Sequence, residues 1–226
     1  MIGILAGMGP KSTAPFIDKV VDLCQRRHGA RHDSDFPPML IYSCPTPFYL
    51  DRPVDHAALR DAIVAGAARL AACGVDYLAV PCNLAHVYFG SIQEAVPVPV
   101  LNMVAETVAA LPADAGRIAV LATAATLEAG IYQQGLAHAG RESVLAPRWQ
   151  AETAAILELI KSGRDAAQAK ARWDALVRDV SAAADAAVIA CTDLNVVADG
   201  AVSPLPLVDS SACLATALVD RYYRPR

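Results

Sequence analysis

The sequence predicts an α/β protein of two pseudo-symmetric lobes, each a parallel-sheet α/β sandwich, with a functional site in the cleft between them. Three observations carry that expectation. Short apolar runs of strand length alternate with longer alanine-rich stretches of helix length, the pattern of parallel sheets joined by helical crossovers. Four landmarks recur in the same order in both halves: an apolar run at 2–6 and again at 117–122, a run ending in Cys82 and another ending in Cys191, a second short run at 98–102 and 205–209, and a closing helical stretch. Ile4 to Cys82 spans 78 residues and Val120 to Cys191 spans 71; the steps from each cysteine to Asn102 and Asp209 are 20 and 18. Finally, 226 residues with 55% apolar and 19% charged side chains suffice for one large or two small cores.

Each element follows from local chemistry. The apolar run 2–6 is a strand, closed by the turn Gly7-Met8-Gly9-Pro10; 12–27 is a helix, and 29–38, with its Gly, Asp, Ser and Pro, is a loop. A strand at 39–43 precedes a helix over 55–73, whose charges are spread among alanines and which stops at Gly74. Strands at 76–81 and 98–101 and a helix at 104–111 complete the first lobe. Pro112, Asp114 and Gly116 break the helical pattern, placing the boundary there and giving lobes of 1–111 and 112–226, with the C-terminal helix able to return to the first. In the second lobe the reading gives strands at 117–122, 143–146, 186–190 and 205–208 and helices at 126–139, 151–161, 166–183 and 212–222.

Composition excludes several functions. A formal charge of −4 offers no basic field for nucleic acid. Arg69, Asp76 and Asp185 interrupt the longest apolar stretches, so no membrane span is expected, and the first residues lack the basic flank and length of a signal peptide. Six cysteines without regular spacing read as cytoplasmic free thiols. Gly7-Met8-Gly9-Pro10-Lys11-Ser12 is a tight turn, since Gly-Lys-Ser/Thr of a phosphate loop is missing. His28 and His32 stand four apart, but with His32 in an apparent loop and no third ligand fixed by spacing they read as solvated side chains, and no metal is expected.

The chemistry concentrates at Cys82 and Cys191. Each ends a buried strand, where open α/β sheets present side chains to ligands. A thiol in water titrates near pH 8.5, and exposed backbone N–H groups of a following helix favour its thiolate. Asn83 and Thr192 come next, each able to cap a helix or bond a carboxylate, and His86 lies four residues past Cys82. A single strand-end cysteine is more often a small buried hydrophobe; a symmetric pair with polar successors reverses that balance. Cys24, Cys44, Cys73 and Cys213 lack the context and read as packing residues, although Cys44 also ends a strand.

Ile2-Gly3-Ile4-Leu5-Ala6-Gly7-Met8-Gly9-Pro10, Pro81-Cys82-Asn83-Leu84-Ala85-His86 and Ala190-Cys191-Thr192-Asp193, taken together and in this order, resemble the aspartate/glutamate racemase superfamily, nearest to aspartate racemase and broad-specificity amino-acid racemases. The resemblance implies an isomerase without cofactor, with one catalytic cysteine per lobe, Cys82 and Cys191, on opposite faces of the substrate Cα. It further implies substrate-binding positions at Met8, Arg52, Asn83, Leu84, Ala85, Thr123, Lys161, Thr192 and Asp193, an amino acid as partner, and a homodimer. Arg52 and Lys161 are the cations it assigns to substrate carboxylates. Two departures bear on substrate: Leu84 stands where the family usually has threonine, and Asp193 where it usually has glutamate. Other reactions of a two-cysteine site, maleate cis–trans isomerisation or hydantoin racemisation, remain alternatives, as do a non-catalytic two-lobed binding protein and, more distantly, a redox pair.

Overall fold

The computed structural model describes residues 1–49, 52–163 and 165–224. The chain divides into two compact units, Met1–Glu106 with Ser211–Arg226, and Thr107–Ser210. The first holds β1 (Ile2–Ala6), α1 (Thr13–His28), β2 (Met39–Ser43), α2 (His56–Ala72), β3 (Tyr77–Ala79) and α3 (Phe89–Glu94); α4 (Met103–Ala109) contains the division. The second holds β4 (Arg117–Leu121), α5 (Ala124–Glu128), α6 (Ile131–His138), β5 (Glu142–Val144), α7 (Pro147–Ser162), α8 (Ala166–Ser181), β6 (Ala186–Ile189), α9 (Asn195–Ala198) and β7 (Leu207–Asp209). The chain returns to the first unit with α10 (Ser210–Tyr223).

The two sheets repeat one plan. In the first unit the order is β2-β1-β3, all parallel, with Ile4 opposite Ile41 and Ala79. A parallel bridge from Leu78 to Val100 adds a fourth position beyond β3. In the second unit the order is β5-β4-β6-β7, again parallel, with Val120 opposite Val188 and Val188 opposite Val208. Central strands buried on both faces need continuous apolar side chains, and β1 and β6 are buried at every residue.

Alternate residues of β1 serve two cores. Ile2, Ile4 and Ala6 pack with Phe16, Val20 and Cys24 of α1 and with Leu214, Ala215, Leu218 and Val219 of α10. On the other side Leu5 meets α2 so closely that a Cβ on Gly66 would stand 2.8 Å from its Cδ1. In the second unit Ala119, Leu121, Ala187 and Ile189 pack with Trp149, Ile156 and Leu157 of α7 and Trp173, Leu176 and Val177 of α8. The return of α10 is fixed at its end as well. Arg27 forks onto Asp220 at 3.0 and 2.9 Å, His28 stacks on Tyr223 at 4.1 Å, and the Tyr223 hydroxyl donates to the Asp35 carbonyl at 2.5 Å.

Several elements differ from the sequence reading. The strand expected at 98–101 is reduced to a bridge, because Pro97 and Pro99 have no N–H; pairing survives through Leu78 N–H to the Pro99 carbonyl and Leu101 N–H to the Leu78 carbonyl, both 2.9 Å. The helix expected at 126–139 is two, α5 and α6, broken at Gly130 with φ of 69°. The division of units falls at 106/107, within α4, rather than at 111/112, five residues short of the interruption that begins at Pro112. The loop at 29–38 contains a 3-10 turn, Asp33–Asp35, and His28 belongs to α1. Among the described residues no helix is long and apolar enough to cross a membrane.

Candidate active site

Cys82 and Cys191 occupy equivalent positions. Cys82 lies three residues beyond β3 and Cys191 two beyond β6, and β3 and β6 hold the same place in their sheets. Both are half-buried, and both are followed by a 3-10 turn, Leu84–Tyr88 and Thr192–Leu194, which sequence periodicity did not register. Short turns of this kind present main-chain N–H groups close to the sulfur that precedes them. The other cysteines separate clearly: Cys24 and Cys44 are buried and their thiols are pushed up by burial, whereas Cys73 is exposed at the end of α2, which corrects its reading as a packing residue.

Around Cys82 the turn is tightly held. Asn83 is 3% and Ala85 0% exposed, and Leu84, at 8%, is buried at the start of the 3-10 turn. His86 is also buried; its Nδ1 lies 2.9 Å from the Cys82 carbonyl oxygen, its Nε2 3.0 Å from the Met103 amide nitrogen, and burial drives its pKa below the ordinary histidine value. Tyr88, which sequence reasoning missed, closes the segment. Its hydroxyl sits 2.7 Å from Nδ1 of His56, and Arg60 and Ser91 line the same open pocket. Burial raises the Tyr88 phenol pKa first, opposed by the Arg60 cation; negative charge on Cys82 raises it further. No local sequence signal marks this pair; Asp55 accepts the Ala58 N–H at 3.0 Å and starts α2 at His56.

Met8 is half-buried in the turn after β1. That turn presses on the end of β2: Gly7 has φ of 92°, and a Cβ there would meet the Cys44 backbone at 2.7 and 2.9 Å. Arg52 is exposed, with its guanidinium 4.4 Å from the Tyr49 ring centroid; Leu50 and Asp51, between them in the chain, lie outside the described residues.

Beside Cys191, Lys161 in the last turn of α7 reaches Asp193, Nζ to Oδ2 at 2.6 Å, with Asp193 7% exposed at its side chain. Two expected substrate contacts are thus joined to one another, and the pair fixes a cation two residues from the cysteine. Thr192 is buried at 7%. Thr123 caps α5, accepting the Thr126 N–H and lying 3.0 Å from the Thr126 hydroxyl. Among the described residues no group of histidine, cysteine and carboxylate side chains is arranged to hold a metal ion.

The repeated sheet plan with a cysteine at each matching strand end is a fold that can be compared. Residues 5–218 match the model of the Asp/Glu/Hydantoin racemase family. The chain belongs to that family. It is 49% identical over 222 residues, 98% of both chains, to the broad specificity amino-acid racemase RacX of Bacillus subtilis. An aspartate racemase of Picrophilus torridus superposes with a TM-score of 0.81 at 26% identity, covering 97% of this chain and 93% of that one. An aspartate racemase homologue from Pyrococcus horikoshii shares the fold with a TM-score of 0.78 at 21% identity, covering 99% of each. Family membership fits the two-unit α/β plan and its parallel sheets.

Proposed function

We propose that the chain racemises an amino acid without a cofactor, Cys82 and Cys191 serving as base and acid on opposite faces of the substrate Cα. The observation that carries this reading is their equivalent placement at the ends of β3 and β6 in two sheets of the same order. Inversion by proton exchange requires a base on one face and an acid on the other, and a duplicated strand end supplies both with one chemistry. One thiolate takes the α-proton, the electron pair of the Cα–H bond passes into the substrate carboxylate, and the opposite thiol delivers a proton to the other face. The sulfurs exchange charge states, so each turnover prepares the reverse one, and the pair titrates as a coupled system.

The negative charge built up on the carboxylate must be met by fixed donors. Main-chain N–H groups of Asn83, Leu84, Ala85 and Thr192, with the turn at Met8 and the Thr123 hydroxyl, are assigned that work, and Lys161 and Arg52 supply cations. Asp193 holds Lys161 in place. With Leu84 in place of the usual hydroxyl, the reading favours an amino acid less acidic than aspartate, consistent with likeness to a racemase named for broad specificity. We further propose a cytoplasmic homodimer, in keeping with six cysteines that lack the regular spacing of a disulfide framework and with the family resemblance.

A panel of the proteinogenic amino acids in both enantiomers, incubated in deuterated water and followed by loss of the Cα proton, identifies the substrate. Cys82→Ser and Cys191→Ser are each expected to lower racemisation by about 100-fold or more, because a hydroxyl cannot replace a thiolate near neutral pH, while circular dichroism stays unchanged. Near-native turnover in either variant overturns the two-base reading. Dialysis against a chelator is expected to leave activity intact without added pyridoxal phosphate; activity lost and then restored by a metal ion counts against it. Light scattering giving the mass of one chain would remove the homodimer.

A further inference from the structure

His86 uses both ring nitrogens, and the partners settle its state. The Cys82 carbonyl, 2.9 Å from Nδ1, only accepts; at Nε2 the Met103 amide, which only donates, stands at 3.0 Å, nearer than the Leu101 carbonyl at 3.5 Å, the outer limit of a hydrogen bond. Nδ1 therefore carries the proton, Nε2 is a bare acceptor, and the ring is neutral. It is 6% exposed and stacks on Phe89 with centroids 6.0 Å apart, and its burial, which disfavours the imidazolium, supports the same state. The other backbone group of Cys82 is held too, its N–H donating to the Val80 carbonyl at 2.7 Å. Peptide units are planar, so fixing the N–H on one side of a residue and the C=O on the other fixes the direction of its Cα–Cβ bond. For Cys82 that bond carries the sulfur.

The second unit provides a comparison. Asn195 stands four residues beyond Cys191, as His86 stands four beyond Cys82, and it is also 6% exposed. Its Nδ2 donates to Oδ1 of Asp209, the last residue of β7, at 3.2 Å, so this side chain ties its turn to the end of the fourth strand, as His86 ties its own to Met103, three residues past the bridge at Val100. The units differ at the cysteine itself. The Cys191 carbonyl accepts the main-chain N–H of Leu194 at 3.0 Å, whereas the Cys82 carbonyl accepts from a side chain. Aim of the first sulfur is thus under the control of one ring.

We propose that His86 is a positioning residue for Cys82: as the neutral Nδ1–H tautomer it clamps the Cys82 carbonyl to the start of α4 and so directs the thiol at one face of the substrate Cα. The proposal rests on the two-cysteine reading and adds an asymmetry to it, since loss of the clamp misaims one sulfur and leaves the other alone. Misplacement of a reacting group by about 1 Å costs on the order of 100-fold in rate. His86→Leu removes both ring contacts. His86→Asn keeps a donor near the Nδ1 position, and His86→Gln keeps only a group near Nε2.

The test uses the whole protein and α-deuterated L- and D-forms of the amino acids in the panel. His86→Leu is expected to lower turnover on the order of 100-fold. Its primary isotope effect should rise for the enantiomer whose proton Cys82 takes and fall for the other, a split that general loss of structure would not produce. His86→Asn should recover most of the turnover and His86→Gln should not, which keeps the question open to decision if the leucine variant fails to fold. Isotope effects that stay equal for the two enantiomers, or an asparagine variant as slow as the leucine or glutamine one, overturn the proposal. If Cys82→Ser itself keeps its turnover, it is the two-cysteine reading that fails.

Discussion

Lys161 and Asp193 show how two residues expected to act separately work as one. Asp193 is nearly buried, so its carboxylate depends on the ammonium 2.6 Å away. Lys161→Ala is expected to lower thermal stability, because the carboxylate is left without its cation, and to lower kcat/KM as well. Adding Asp193→Asn should restore much of the stability and none of the activity; recovery of both together would mean that Lys161 serves the fold alone. Leu84 poses the opposite question. It is buried at the first position of the turn after Cys82, where a hydroxyl would stand near the substrate carboxylate under the proposed reading. A hydrogen bond to a charged group contributes about 1.5–3 kcal/mol, so Leu84→Thr should raise kcat/KM for aspartate roughly tenfold or more relative to the best neutral substrate. An unchanged ratio and unchanged rates would make Leu84 a packing residue.

At the scale of the element, the segment from Cys82 to Met103 is held together by a histidine that must stay neutral. Its pKa is depressed in the folded protein from an unfolded value of 6.5, so the unfolded chain binds the extra proton first as pH falls. The sign follows: the contribution is complete above pH 6.5 and is lost as pH drops toward the folded pKa. Melting temperature is expected to decline on acidification below that point, and His86→Asn should flatten the dependence; an equal slope in both proteins would place the acid sensitivity elsewhere. This segment also shows which parts of the fold could be read in advance. Buried parallel strands announce themselves as apolar runs, so β1, β3, β4 and β6 and the two cysteines at the strand ends were legible. The turn Leu84–Tyr88, α3 and α9 were not, because elements of four to six residues carry too few side chains to establish a period. Nor was the His56–Tyr88 contact, made across 32 residues with no local signal. The resemblance gave Lys161 and Asp193 as substrate positions, and only the coordinates joined them.

At the scale of the whole molecule, the two units are built from the chain in different ways. Thr107–Ser210 is continuous, while the other unit is assembled from both ends. Its core needs Leu214, Ala215, Leu218 and Val219 of α10, all fully buried against β1 and α1. Continuity favours the second unit, which closes its core without waiting for the far end of the chain, whereas the first pays the entropy of joining segments separated by more than a hundred residues. Both tryptophans, Trp149 and Trp173, lie in the core of the second unit, so their fluorescence reports that unit alone. Leu218→Ala opens a cavity in the first core and should cost about 2–5 kcal/mol. In urea the far-UV circular dichroism transition is expected to begin at lower denaturant in this variant, while the tryptophan transition keeps its native midpoint. Should both signals shift together by the same amount, the units unfold as one cooperative body, and the inserted unit owes its stability to the rest of the chain.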